Sequence, residues 1–170
     1  MKRKNDNPLK ILFVGNSKTF INMYREFTIE IANSKGYSFV GTHPKENFIN
    51  YNNTSNNCYY IDVDNNNTIP NSFYSFTQSG KSLKYNYDTM IKKYKKTMEN
   101  LKIDYVILQE QADTLLDYNT YESGVENIIK LLIKNNPDLK VFIRNTWLLN
   151  NSSTNDIKKA KENTKKLLRV

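Results

Sequence analysis

Two rhythms of apolar and polar positions alternate along this chain. Leu9 to Val14 is a short β-favouring run between Pro8 and Gly15, broken only by Lys10, and reads as a buried parallel strand. From Thr19 the rhythm turns helical, with Phe20, Met23, Tyr24, Phe27 and Ile31 on one face and Gly36 as the stop. Tyr37 to Gly41 reads as a second strand. Residues 47–71 are polar, Asn-rich and poorly periodic around one apolar patch, Cys58 to Val63, and read as a long insertion or a strand with ragged flanks.

The helical rhythm returns with Leu83, Tyr87, Met90, Ile91, Tyr94 and Met98. Asp104 to Leu108 (DYVIL) is a third strand with almost no alternation, as a sheet covered on both faces requires. Tyr121 to Lys134 predicts a helix with Val125, Ile128, Ile129 and Leu132 inward, stopped by Asn135-Asn136-Pro137. Val141 to Ile143 opens a fourth strand running toward Leu149. Thr154 or Asn155 then caps a last helix carrying Ile157, Ala160, Thr164, Leu167 and Leu168 on its apolar face. Strands and helices in alternation predict one α/β domain over residues 1–170, a three-layer α/β/α sandwich with a parallel sheet. Right-handed crossovers gather the carboxyl ends of the strands along one edge, where such sheets bind ligands.

Composition changes this picture little. A length of 170 residues suits a single core, and a net charge of +8 raises nucleic acid or a membrane surface as partners. The lysines argue against both. They are spread along helix-like segments (Lys92, Lys93, Lys95, Lys96; Lys158, Lys159, Lys161, Lys165, Lys166), the pattern of a solvated face. Cys58 is the only cysteine, so the chain forms no internal disulfide and no cysteine-based metal site. The apolar run after the charged N-terminus is too short for a signal-peptide core or a membrane span, and the expected location is cytoplasmic. The sequons at Asn52 and Asn53 carry little weight without a secretory route.

Candidate chemistry lies in three segments at the predicted ligand edge. In Gly15-Asn16-Ser17 a strand turns into a helix. Ser17 there meets unpaired backbone N–H groups and the positive end of the helix dipole, a place for a nucleophile whose attack creates an oxyanion, or equally for an N-cap. In Thr77 to Leu83 (TQSGKSL), Gly80 precedes a helix and its N–H is available to a cleft. Gly80-Lys81-Ser82 imitates a phosphate-binding loop, but Ser75 stands where that motif needs glycine and no clear strand feeds the loop, so no nucleotide cofactor is expected. In Asp104 to Asp113 (DYVILQEQAD) the strand ends in Gln109-Glu110-Gln111, whose amides suit an oxyanion hole or belong to a plain loop.

Taken in order, Gly-Asn-Ser, Ser-Gly and Gln-x-Gln resemble the blocks of the SGNH (GDSL-type) serine hydrolases, over roughly Leu9 to Trp147. The resemblance implies a flavodoxin-like fold, an esterase activity on O-acetyl or short acyl groups of a small molecule or carbohydrate, and no cofactor or metal. It implies that Ser17 is the nucleophile, that the Gly80 N–H lines the oxyanion hole, and that Gln111 supplies a side-chain amide to it. Gln109 is a rival for that amide, and Lys18 departs from the apolar or small residue usual after the nucleophile. The family's fourth block, Asp-x-x-His, is absent. The one histidine, His43, sits in a polar His-Pro loop as the only substitute base. The expectation is therefore a domain truncated at its C-terminal side, either a hydrolase or an inactive remnant that binds a small molecule or carbohydrate.

Overall fold

The computed structural model describes residues 10–17, 57–60, 72–144, 146, 148 and 152–167, the side chains of 57–60, 72 and 73 apart. The expected helix through Ile31 and the strand Tyr37 to Gly41 lie outside the described residues. Among the described residues, five strands make one sheet: β1 (Lys10–Gly15), β2 (Asn57–Tyr60), β3 (Ser72–Gln78), β4 (Tyr105–Gln109) and β5 (Lys140–Arg144), in the order β2-β3-β1-β4-β5. β3, β1, β4 and β5 run parallel, and β2 is an antiparallel edge on β3. Helices α1 (Leu83–Asn100), α2 (Tyr118–Ile133) and α3 (Thr154–Leu167) follow β3, β4 and β5. This is an α/β fold, a four-strand parallel sheet flanked by helices, as the alternation of patterns predicts. Counting only parallel strands, the order is 2-1-3-4, the flavodoxin-like progression.

Two expectations need correction. A strand does feed the Gly80 loop: Ser72 to Gln78 is β3, buried from Tyr74 to Gln78. It escapes a search for apolar runs because Ser75 and Thr77 interrupt Tyr74 and Phe76. The alternation of aromatic with small hydroxyl residues from Tyr74 to Thr77 is nevertheless a period-two strand pattern. The case against a phosphate-binding loop then rests on Ser75 alone. The sheet is also mixed, since β2, within the apolar patch of the Asn-rich segment, pairs antiparallel.

The parallel register stacks Leu12 and Val14 of β1 between Tyr74 and Phe76 of β3 and Val106 and Leu108 of β4. All six belong to one core cluster with Leu83, Met90 and Met98 of α1 and Tyr121, Val125 and Ile128 of α2. Consecutive right-handed crossovers put α1 and α2 on the same face, and the two pack against each other. At the opposite edge from the candidate site, buried Asn136 fastens the turn after α2. Its amide donates to the Leu101 and Leu132 carbonyls, at 2.9 and 2.8 Å, and its Oδ1 accepts from Ile103 N at 2.9 Å. α3 is capped by Ser153, not by Thr154 or Asn155. Ser153 Oγ accepts from Asp156 N at 3.1 Å while the Asp156 carboxylate accepts from Ser153 N at 2.9 Å, a reciprocal box. The clustered lysines of α1 and α3 are all exposed.

Candidate functional site

In a 2-1-3-4 sheet the topological switch point falls between the first and third parallel strands, here β1 and β4. The residues just beyond their carboxyl ends are Asn16-Ser17 and Glu110-Gln111. Asn16 is fully buried, and Ser17, half-buried, is the first helical residue after β1. The remaining predicted segment, the Gly80 turn, arrives from the other side. Gly15 pairs with Thr77, so the turn from Gln78 to Lys81 starts level with Asn16. That turn is closed by Lys81 N donating to the Gln78 carbonyl at 3.2 Å. Gly80, exposed, takes φ +64 at its third position, a left-handed conformation that favours glycine.

The first turn of α1 ties these ends together. The Asn86 amide donates to the Gly15 carbonyl at 3.0 Å and to the Ser82 carbonyl at 3.1 Å. Leu83 N donates to Glu110 Oε1 at 3.0 Å, and Gln111 N donates to the same oxygen at 2.6 Å. Ser82 Oγ accepts from Tyr85 N at 3.2 Å as the N-cap. α2 closes the arrangement from below: a Cβ on Gly124 would stand 2.7 Å from Lys84 N and 2.9 Å from Leu83 Cβ.

The two glutamines differ. Gln109 is buried and its amide turns back to donate to the Glu110 carbonyl. Gln111 is half-buried, its carbonyl accepts from Thr114 N and Leu115 N, and no described residue hydrogen-bonds its side-chain amide. His43 and Lys18 lie outside the described residues. Among the described residues no group of three or more His, Cys, Asp or Glu is placed to hold a metal ion. No described helix is long and apolar enough to cross a membrane.

Glu110 is the most perturbed acid of the site. Burial pushes its pKa up to about 7, against the pull of the Gln111 and Leu83 N–H groups, and its Oε2 is buried without a partner. Tyr121 of α2 lies nearby. Its pKa rises to about 12, first by burial and then by the negative field of Glu110, with the Thr164 hydroxyl opposing from beyond good hydrogen-bond geometry.

The sequence reading missed Glu110, Asn86 and Gly124, though each left a signal. Glu110 continues the inward parity of Val106 and Leu108. Asn86 lies three residues after Leu83 and four before Met90, on the buried stripe of α1. Gly124 occupies the buried stripe of α2 between Tyr121 and Ile128, where helices avoid glycine unless something comes close.

No family model matches the sequence, and no curated protein matches it. Among solved structures, the fold is similar to that of a DUF4886 family protein from Bacteroides uniformis, with a TM-score of 0.59 and 11% identity, over 96% of this chain and 64% of that one. The likeness is one of fold. The chain thus spans about two-thirds of the length of that structure. A carbohydrate esterase family 3 protein from Talaromyces cellulolyticus superposes with a TM-score of 0.48 and 20% identity, over 79% of this chain and 60% of that one.

Proposed function

We propose that the chain is an SGNH-type serine hydrolase domain whose cleft lies over the β1/β4 switch point, with Ser17 as nucleophile. The observation that carries this reading is the convergence of the three motif segments. Asn86 joins the start of α1 to Gly15, and Glu110 joins it to Gln111, so the ends of β1, β4 and the Gly80 turn share one small region. Chemically, Ser17 Oγ attacks an ester carbonyl. The bond to the alcohol breaks as the tetrahedral oxyanion collapses, the Ser17 hydroxyl proton passing to the departing alcohol oxygen; water then hydrolyses the acyl-enzyme, releasing the acid and returning a proton to Oγ. The Ser17 and Gly80 N–H groups and the Gln111 amide are the oxyanion donors. Gln111 is favoured over Gln109 because the Gln109 amide is already committed to the Glu110 carbonyl. Substrates of this reading are O-acetyl or short acyl esters of small molecules or carbohydrates. A serine fluorophosphonate probe tests it: wild type should be labelled and Ser17→Ala should not, and equal labelling overturns the reading.

A second reading, a binding domain that keeps the cleft without turnover, is favoured by one observation. No described residue hydrogen-bonds the Ser17 hydroxyl. An uncoupled serine hydroxyl is a poor nucleophile at neutral pH. This reading expects ligand binding with neither labelling nor ester cleavage.

A further inference from the structure

The first turn of α1 is held four ways, and one hold is energetically peculiar. Ser82 caps it, Asn86 pins it to Gly15, and Gly124 supports it from α2. These three use neutral groups at ordinary cost. The fourth is a carboxylic acid with no exposed surface, whose single oxygen Oε1 takes both the Leu83 and the Gln111 N–H, while Oε2 has no partner. Burying an ionisable group with half its acceptors idle is unfavourable, where a neutral acceptor would serve the helix end as well.

What distinguishes this hold is the pair of groups it joins. Leu83 opens the helix that follows the Gly80 turn, and Gln111 is the residue beyond β4, so one oxygen atom sets the spacing between two segments that are distant in sequence. The other holds act within the start of α1 or link it to β1 or α2, and none of them reaches Gln111.

We propose that Glu110 is a positioning residue of this site, fixing the Gly80 turn and Gln111 relative to each other so that their donors converge on the oxyanion formed at Ser17. The inference rests on the Ser17 reading above. It assigns Glu110 no contact with substrate, since the side chain is sealed from the cleft. Its effect is on the geometry of the donors, and so on the reacting state more than on ground-state binding.

The test is fluorophosphonate labelling of purified wild type, Ser17→Ala, Glu110→Ala, Glu110→Asp and Glu110→Gln, measured as the saturating rate and the half-saturating probe concentration. Melting curves report whether each variant is folded. In Glu110→Ala the saturating rate should fall about 10- to 100-fold while the half-saturating concentration changes little. Glu110→Gln keeps an oxygen acceptor at the same reach and should restore the rate to near wild type, a rescue that a role limited to charge would not give. If Glu110→Ala does not fold, Glu110→Asp carries the test, because its side chain is one methylene too short to meet both N–H groups and should show the same fall. Folded Glu110→Ala or Glu110→Asp labelled at the wild-type rate overturns the positioning role and leaves the Ser17 reading standing. Equal labelling of wild type and Ser17→Ala overturns both.

Discussion

Gly80 and Gly124 carry opposite constraints, and substitution separates them. Gly80 has open space around it and needs only its left-handed φ of +64. Gly80→Ala should cost about 1–2 kcal/mol in urea unfolding, and Gly80→Asn less, because asparagine tolerates that conformation. Gly124 has the reverse problem, since its added Cβ would strike backbone atoms of the α1 first turn. Gly124→Ala should gain about 1 kcal/mol of helix propensity and lose about 1–3 kcal/mol to overpacking, a net destabilisation in the same measurement. Glycine itself was legible in the sequence at both positions; which constraint applied was not, because a turn's φ is local and a clash belongs to two helices. Glu110 makes the same point more strongly. Its place in Gln109-Glu110-Gln111 looks like a polar loop, and only the inward parity of β4 brings it into the core.

Among the elements, α3 shows how little a helix start depends on the rest of the molecule. The Ser153–Asp156 box satisfies end groups with residues three apart, so the cap is written locally. Ser153→Ala should lower stability by about 1 kcal/mol and speed amide exchange selectively in the first turn of α3. The Asn136 turn is the contrary case. Its side chain serves three backbone groups, one from its own helix and two from the segment leading into β4. Asn136→Ala strands those groups in a buried place and should cost about 2–4 kcal/mol, seen as a lowered urea midpoint. In the sequence, Asn135-Asn136-Pro137 marks the end of a helix and nothing more. β3 falls between these cases. Its alternation of Tyr and Phe with Ser and Thr is local information, but burial of Ser75 and Thr77 as well depends on a sheet covered on that side too.

For the molecule as a whole, Glu110 links stability to pH. Its pKa stands near 7 in the folded chain against an ordinary 4.5, so the folded state holds this proton more tightly than the unfolded state does. The contribution is complete below pH 4.5 and is lost as pH rises to about 7, an effect on the order of 3 kcal/mol. Urea unfolding of wild type and Glu110→Gln between pH 4.5 and 8 should show wild type losing stability relative to the variant with rising pH, then running parallel above pH 7. Parallel curves throughout would contradict the burial of this acid. The sequence by itself determined the α/β class, the strands β1 and β4 and the helices α1 to α3, because apolar periodicity and end-capping act over a few residues and are written in neighbouring positions. It also presented Gly15-Asn16-Ser17, Gly80 and Gln109-Glu110-Gln111 as chemistry-bearing segments. Only the tertiary structure decided the order β2-β3-β1-β4-β5, the switch point between β1 and β4, and the joining of Glu110, Asn86 and Gly124 around one helical turn. Those depend on which distant segments pair and on how closely two helices approach, and that is settled by the free energy of the assembled core.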